Sequence, residues 1–309
     1  MAIPHPIFDR CAVRHHRDRA ARRYSNAVTA HNPEFLHEEI TDRLLERLGE
    51  VRKPFADCLY LGCRHAPATR RLAARKDLQF VVQVDFSPSM TVVARADNRF
   101  FPTLCVDEEY LPFVEGCFDL VFAPLSLHWV NDLPGALIQI RRLLRPDGLL
   151  LAALFGGATL CELREALGDA ELSNEGGISP RVSPFADVRD GGDLLQRAGF
   201  ALPVVDRERV TVTYEHAFNL MADLRHMGET NAVLERRKTF TRRQTLLDTA
   251  DIYLRRFADK SGRLEATFEV IYLTGWAPAG TQPKPLRPGS ATVRLANALN
   301  AEERDPGAN

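Results

Sequence analysis

The strongest constraint on this chain is a series of five short apolar runs between residues 57 and 155, most of them separated by helix-forming segments. Strands are expected at 57–62, 80–86, 103–106, 118–123 and 149–155, the second of them rich in valine. Helices are expected at 68–76, after Ser87-Pro88-Ser89, and at 133–144. A serine hydroxyl suits the helix cap and a proline the first turn. Arg145-Pro146-Asp147-Gly148 has the composition of a turn. Runs so short and continuously apolar fit strands buried on both faces, in a parallel sheet between two helical layers.

An amphipathic helix is expected earlier, over 29–49, with Phe35, Ile40, Leu44, Leu45 and Leu48 on one face and Gly49 as its stop. The pattern changes after Gly157. Helices are expected at 160–172 and 191–198, with a Gly/Ser/Pro-rich loop at 173–190 between them. An alternating edge strand follows at 204–214, then helices at 218–227 and 242–257, and a last alternating strand at 266–276. The expected organisation is an N-terminal helical segment (1–50), a ligand-binding α/β core (51–157) and a C-terminal part (158–277) that completes the sheet. A helical insertion at about 215–262 acts as a lid, and 278–309 form a poorly ordered, Pro- and Gly-bearing tail.

The 309 residues, 45% of them apolar, suffice for one sizeable core with an elaboration. Forty Lys and Arg against 41 Asp and Glu leave a net charge of −1, which gives no global pull toward nucleic acid or anionic membrane. The six cysteines form no CxxC pair, which argues for a reducing compartment without a disulfide framework or structural metal. No apolar run approaches the roughly 20 residues of a membrane span. Arg10, Arg14, Arg17, Arg19, Arg22 and Arg23 could belong to an organelle transit peptide, but Asp9 and Asp18 interrupt them, and a solvated helix face is the preferred reading.

In an open parallel sheet, ligands bind beyond the carboxyl ends of the strands. The first such end is Leu61-Gly62-Cys63-Arg64, where a glycine lets backbone approach a ligand. The second is Val84-Asp85-Phe86, with a carboxylate suited to ribose hydroxyls. The third is Val106-Asp107-Glu108, able to accept from an adenine amino group. The fourth is Pro124-Leu125-Ser126-Leu127-His128-Trp129, over the reaction centre of such a topology. Each has a plainer reading. The glycine turn could be purely structural, Asp85 could cap the following helix, and Asp107 and Glu108 could form a solvated turn. Trp129 could pack under the lid while His128 bonds a backbone carbonyl. Order and spacing together favour a nucleoside site.

Three runs carry a family resemblance: Asp107-Glu108-Glu109-Tyr110-Leu111-Pro112-Phe113, Phe118-Asp119-Leu120-Val121, and Leu125-Ser126-Leu127-His128-Trp129-Val130-Asn131-Asp132-Leu133-Pro134. They resemble class I S-adenosylmethionine (SAM)-dependent methyltransferases, and most nearly the complex I assembly factor 5 family of arginine hydroxylases with its bacterial relatives. Phe155-Gly156-Gly157-Ala158-Thr159-Leu160, Ser179-Pro180-Arg181-Val182-Ser183-Pro184-Phe185, Asp223-Leu224-Arg225-His226-Met227-Gly228-Glu229-Thr230-Asn231 and Arg287-Pro288-Gly289-Ser290 extend the match. The resemblance implies an α/β fold: a Rossmann-like, seven-stranded methyltransferase sheet with a C-terminal helical lid insertion.

It further implies SAM as cofactor, with Gly62, Asp85 and Asp107 lining its pocket; the strand ends add Cys63, Phe86, Glu108, Pro124 and Leu125 to the cofactor-binding set and leave His128 and Trp129 as the catalytic candidates. The implied partner is a complex I subunit modified at an arginine. Peripheral association with the membrane-bound complex is left open, and no nucleic acid is implied. No presequence precedes Phe8, so a cytoplasmic protein is expected. One departure stands out. Where the family reads acidic-Leu-Gly-x-Gly-x-Gly, this chain has Tyr60-Leu61-Gly62-Cys63-Arg64-His65-Ala66. A carboxyl O-methyltransferase acting on a malonyl carrier protein, and an assembly chaperone without catalysis, are the competing readings.

Overall fold

Alternate residues of the central strands face opposite ways. Cys58, Tyr60, Val81, Leu120, Phe122, Leu149 and Leu151 enter one apolar layer, while Leu59, Leu61, Val82, Val84, Val121, Leu150 and Ala152 enter the other. This doubly buried sheet is the centre of a computed structural model that describes residues 6–26, 34–185, 187–283 and 293. The strands are β1 (Asp57–Leu61), β2 (Phe80–Asp85), β3 (Thr103–Cys105), β4 (Phe118–Pro124), β5 (Leu144–Phe155), β6 (Ala201–Tyr214) and β7 (Leu264–Trp276). They lie in the order β3-β2-β1-β4-β5-β7-β6. The first five are parallel, and β7 and β6 are antiparallel additions at one edge. The expected Rossmann-like sheet of seven strands is therefore present, with β6 at the edge where its alternation placed it.

The helices are α1 (Arg10–Asn26), α2 (Phe35–Glu50), α3 (Thr69–Ala73), α4 (Pro88–Asp97), α5 (Leu133–Leu143), α6 (Cys161–Glu175), α7 (Val188–Arg197), α8 (Ala217–His226) and α9 (Arg243–Phe257). Leu36, Ile40, Leu44 and Leu48 of α2 pack on one face of the sheet. Leu137, Ile140 and Leu143 of α5 and Leu195 of α7 pack on the other. The Ser87 hydroxyl accepts the Met90 N–H at the start of α4, with Pro88 in its first turn. Part of the helix expected over 29–49 falls outside the described residues. The helix expected over 68–76 is only five residues long, and the turn expected at 145–148 is a bulge within β5, where Asp147 has φ +63°.

The chain divides into two units, 1–278 and 279–309. In the second, the Ala279 N–H donates to Gln282 Oε1. The disorder expected for 278–309 falls mostly outside the described residues. No helix among the described residues is long and apolar enough to cross a membrane, and all six cysteines are free thiols.

Candidate functional site

The chain enters α1 over the carboxyl ends of the strands and is clamped there. Asn131 Oδ1 accepts the N–H groups of Ile7 and Phe8, and Asn131 Nδ2 donates to the Phe8 carbonyl. Phe8 also pairs antiparallel with Val233. The clamp sets α1 above the ends of β2 and β3.

This placement corrects the reading of the N-terminal arginines as a solvated face. Arg14, Arg22 and Arg23 are exposed, but Arg17 is only 2% exposed. Its Nη1 donates to Glu108 Oε1 at 2.7 Å and lies 3.6 Å from Asp85 Oδ1. Arg10 donates to Asp107 Oδ1 and Glu108 Oε2, both at 2.6 Å, and covers the Phe86 ring at 4.3 Å. The physical reason is the pair of carboxylates beneath. A buried Glu108 without a cation would carry a large desolvation cost. Burial raises its carboxyl, but Arg17 and then Arg10 outweigh that and hold it below the usual carboxylate value.

Gly62 has φ +68°, and a side chain there would meet Ser126 Cβ at 2.2 Å, so only glycine fits this turn. Arg64 and Ala66 keep the left-handed backbone of a glycine loop, with φ +51° and +57°. Arg64 is buried and turned away from Asp85. Its Nε and Nη2 donate to the two Glu34 oxygens at 2.9 and 2.8 Å, and Nη2 also donates to the Met227 carbonyl. Asp85 is fully buried; its oxygens accept the Arg64 and Ser87 backbone N–H groups, while the cap of α4 is Ser87. Cys63, Pro124 and Leu125 are buried beside these groups, and burial pushes the Cys63 thiol well above its usual value. The structure thus brings the expected set to one end of the sheet.

As arranged, most of that set's carboxylate oxygens are already engaged. The ribose and adenine would need free carboxylate lone pairs on Asp85 and Asp107 or Glu108. The structure instead gives those carboxylates to backbone N–H groups and to Arg10 and Arg17.

His128 and Trp129 occupy a single 3₁₀ turn after β4 and converge on Glu229. His128 Nε2 is 3.0 Å from Glu229 Oε2, and Trp129 Nε1 donates to the same oxygen at 2.8 Å. His128 therefore meets a carboxylate rather than a backbone carbonyl. Trp129 packs edge-on against Phe8 and Phe185 and lies in one apolar cluster with Ala232 and Val233. His37 Nε2 and Arg64 Nη1 stand 3.3 and 3.7 Å from Glu229 Oε1. Burial raises the Glu229 carboxyl, but the His128 and His37 rings outweigh it and hold it well below the ordinary value. Glu229 also lines a cavity of about 310 Å³ between α6, α8 and the 180–185 loop.

Reading by strand ends missed Glu229, Glu34 and Arg17, and with them Arg10 and His37. The available signal for Glu229 was the run Gly228-Glu229-Thr230-Asn231, which carried resemblance but no assigned chemistry. Glu34 and Arg17 lie outside the strand ends and left no signal of their own.

The sequence matches the methyltransferase-domain family model over residues 59–152. It is 39% identical over 293 residues to the mitochondrial arginine-hydroxylase NDUFAF5 of Danio rerio, covering 94% of this chain and 89% of the relative. It is 37% identical to a malonyl-[acyl-carrier protein] O-methyltransferase of Halorhodospira halophila, covering 89% and 90%. A solved methyltransferase-candidate structure from Bacillus halodurans superposes with a TM-score of 0.54 at 14% identity, over 77% of this chain and 99% of that one. That last likeness concerns the fold alone. The arginine-hydroxylase relative is named mitochondrial, which contradicts the expected cytoplasmic location. The expectation had rested on where the chain begins, which carries no information about location.

Proposed function

The chain belongs to the NDUFAF5 arginine-hydroxylase family of methyltransferase-fold proteins, and from that premise we propose that it acts in respiratory complex I assembly by modifying an arginine of a complex I subunit. The observation that carries this reading is Glu229. It is a buried, ionised carboxylate that lines a cavity and is held by His128 and Trp129. A carboxylate of this kind attracts a guanidinium, and an indole face nearby stabilises a cation. His128 and Trp129 orient the carboxylate and close the site on the strand side. The partner is a protein. Peripheral contact with the family's membrane-bound complex is part of this proposal.

SAM is the proposed ligand of the pocket formed by Gly62, Cys63, Asp85, Phe86, Asp107, Glu108, Pro124 and Leu125. Its entry requires Arg10 and Arg17 to withdraw, because they hold the carboxylates it would use. The filled pocket also supports a second reading, an assembly chaperone that kept the fold without the cofactor. Carboxyl methylation of a malonyl carrier protein has a relative in its favour at slightly lower identity.

Mass spectrometry of the complex I subunits after incubation with the protein separates these readings. Gain of one oxygen on an arginine supports the first, and gain of a methyl group on a malonyl carrier protein included in the same incubation supports the third. An unmodified partner that still assembles only when the protein is present supports the chaperone.

A further inference from the structure

Four arginines ring the cavity that Glu229 lines: Arg181, Arg225, Arg236 and Arg237. Three of them have partners. Arg181 donates to Glu171, Arg236 to Asp9, and Arg237 pairs with Glu175. Arg225 has no carboxylate partner among the described residues and is exposed. It adds to the positive potential around Arg19 of α1, which burial and its neighbours Arg23 and Arg225 hold below the usual guanidinium value. The rim is therefore short of negative charge.

A second observation is independent of that charge. Ser183 Oγ and Thr230 Oγ1 are buried and make no hydrogen bond, although both residues line the cavity. Buried hydroxyls without partners are rare and mark places where a ligand or water completes the bonding. Glu229 Oε1 faces only His37 Nε2 at 3.3 Å and Arg64 Nη1 at 3.7 Å. Between rim and carboxylate the wall is apolar, with Leu160, Phe185, Met221 and Leu224. An aliphatic stem with a cationic end fits this interior, and an acceptor-rich flank fits the hydroxyls and the rim.

We propose that the cavity admits an arginine side chain only from a protein segment that carries acidic residues beside that arginine, with Arg225 as the specificity-determining cation. The inference rests on the arginine-modifying reading above. The flanking carboxylates lie against Arg225 and accept from Ser183 and Thr230, while the arginine stem follows the apolar wall toward Glu229. Acidic flanks offset the rim repulsion that a lone arginine would meet.

The test uses the full chain and four otherwise identical short peptides, with binding read by fluorescence anisotropy at low salt. In three of them a central arginine is flanked by Asp, by Asn or by Lys. The fourth keeps the Asp flanks and replaces the arginine with citrulline, its neutral near-isostere. The Asp-flanked arginine peptide should bind roughly fivefold or more tighter than the Asn-flanked one, with the Lys-flanked one weakest. Added salt should narrow that gap. Arg225→Gln should bring the Asp- and Asn-flanked affinities together without changing the melting temperature. Equal affinities for the Asp and Asn peptides, a preference for Lys, no binding of any peptide, or an unchanged preference in Arg225→Gln would overturn the inference. Equal binding of citrulline and arginine would instead refute the arginine reading beneath it.

Discussion

Arg64 holds the two carboxylate oxygens of Glu34 from a backbone position whose φ is +51°. A left-handed backbone costs an arginine roughly 1–2 kcal/mol, which a glycine would not incur. Both side chains are nearly inaccessible, 5% and 1% exposed. Breaking a buried pair by removing one member costs about 3–5 kcal/mol. Stranding Glu34 by removing Arg64 therefore costs more than the backbone strain that removal relieves.

Arg64→Gly should therefore lower stability, not raise it. Relief of backbone strain recovers only part of the loss from stranding Glu34. Urea unfolding should show a net destabilisation of about 2–3 kcal/mol, and Glu34→Gln in the same chain should recover some of it. A more stable single variant would refute this balance.

Arg17→Ala should tighten SAM binding while lowering the melting temperature. The arginine competes for Glu108 and Asp85, so its removal frees lone pairs for ribose and adenine. It also leaves Glu108 short of one buried cation. Calorimetric titration of both proteins checks the first effect. Equal affinity would mean that Arg17 does not stand in the cofactor's way.

Trp129→Phe should spare the packing against Phe8 and Phe185 but lose the hydrogen bond to Glu229. The expected cost in stability is about 1–2 kcal/mol. Partner modification should fall by considerably more than that loss explains, because Glu229 is no longer oriented. Activity that falls only in proportion to the folded fraction would leave Trp129 a packing residue.

Acid should destabilise the fold in two stages. Burial, followed by the charge of Arg19, pushes His16 down to about 4, while its Nδ1 pairs with the Thr230 carbonyl. An unfolded chain protonates this ring near 6.5, so stability falls as pH drops from about 6.5 to about 4 and then levels off. His37, also lowered by burial, acts in the same direction. Glu229 and Glu108 have depressed carboxyls. Their contribution is present above about 4.5 and is lost as pH falls further. Unfolding midpoints measured from neutral pH to 4 should decline throughout, and His16→Asn should flatten the first stage. An unaltered slope in that variant would count against His16.

Periodicity made the sheet legible. Val81 to Val84 and Leu149 to Leu154 read as strands buried on both faces, because short apolar runs alternating with helices fit a doubly covered parallel sheet. The site was legible in part for the same reason: Gly62, Asp85, Asp107, Glu108 and His128 follow strand ends, and strand ends converge by topology. What no local pattern contained was the partner each side chain takes. Arg17 looked like one of several helix-face arginines, and only the Asn131 clamp decides that it is buried over Glu108. Glu229 is separated by 100 residues from Trp129, and Glu34 by 30 from Arg64. Sequence spacing encodes secondary structure through short-range periodicity. The pairing of buried charges depends on which surfaces the packed helices bring together, and in this chain that decision belongs to the tertiary structure.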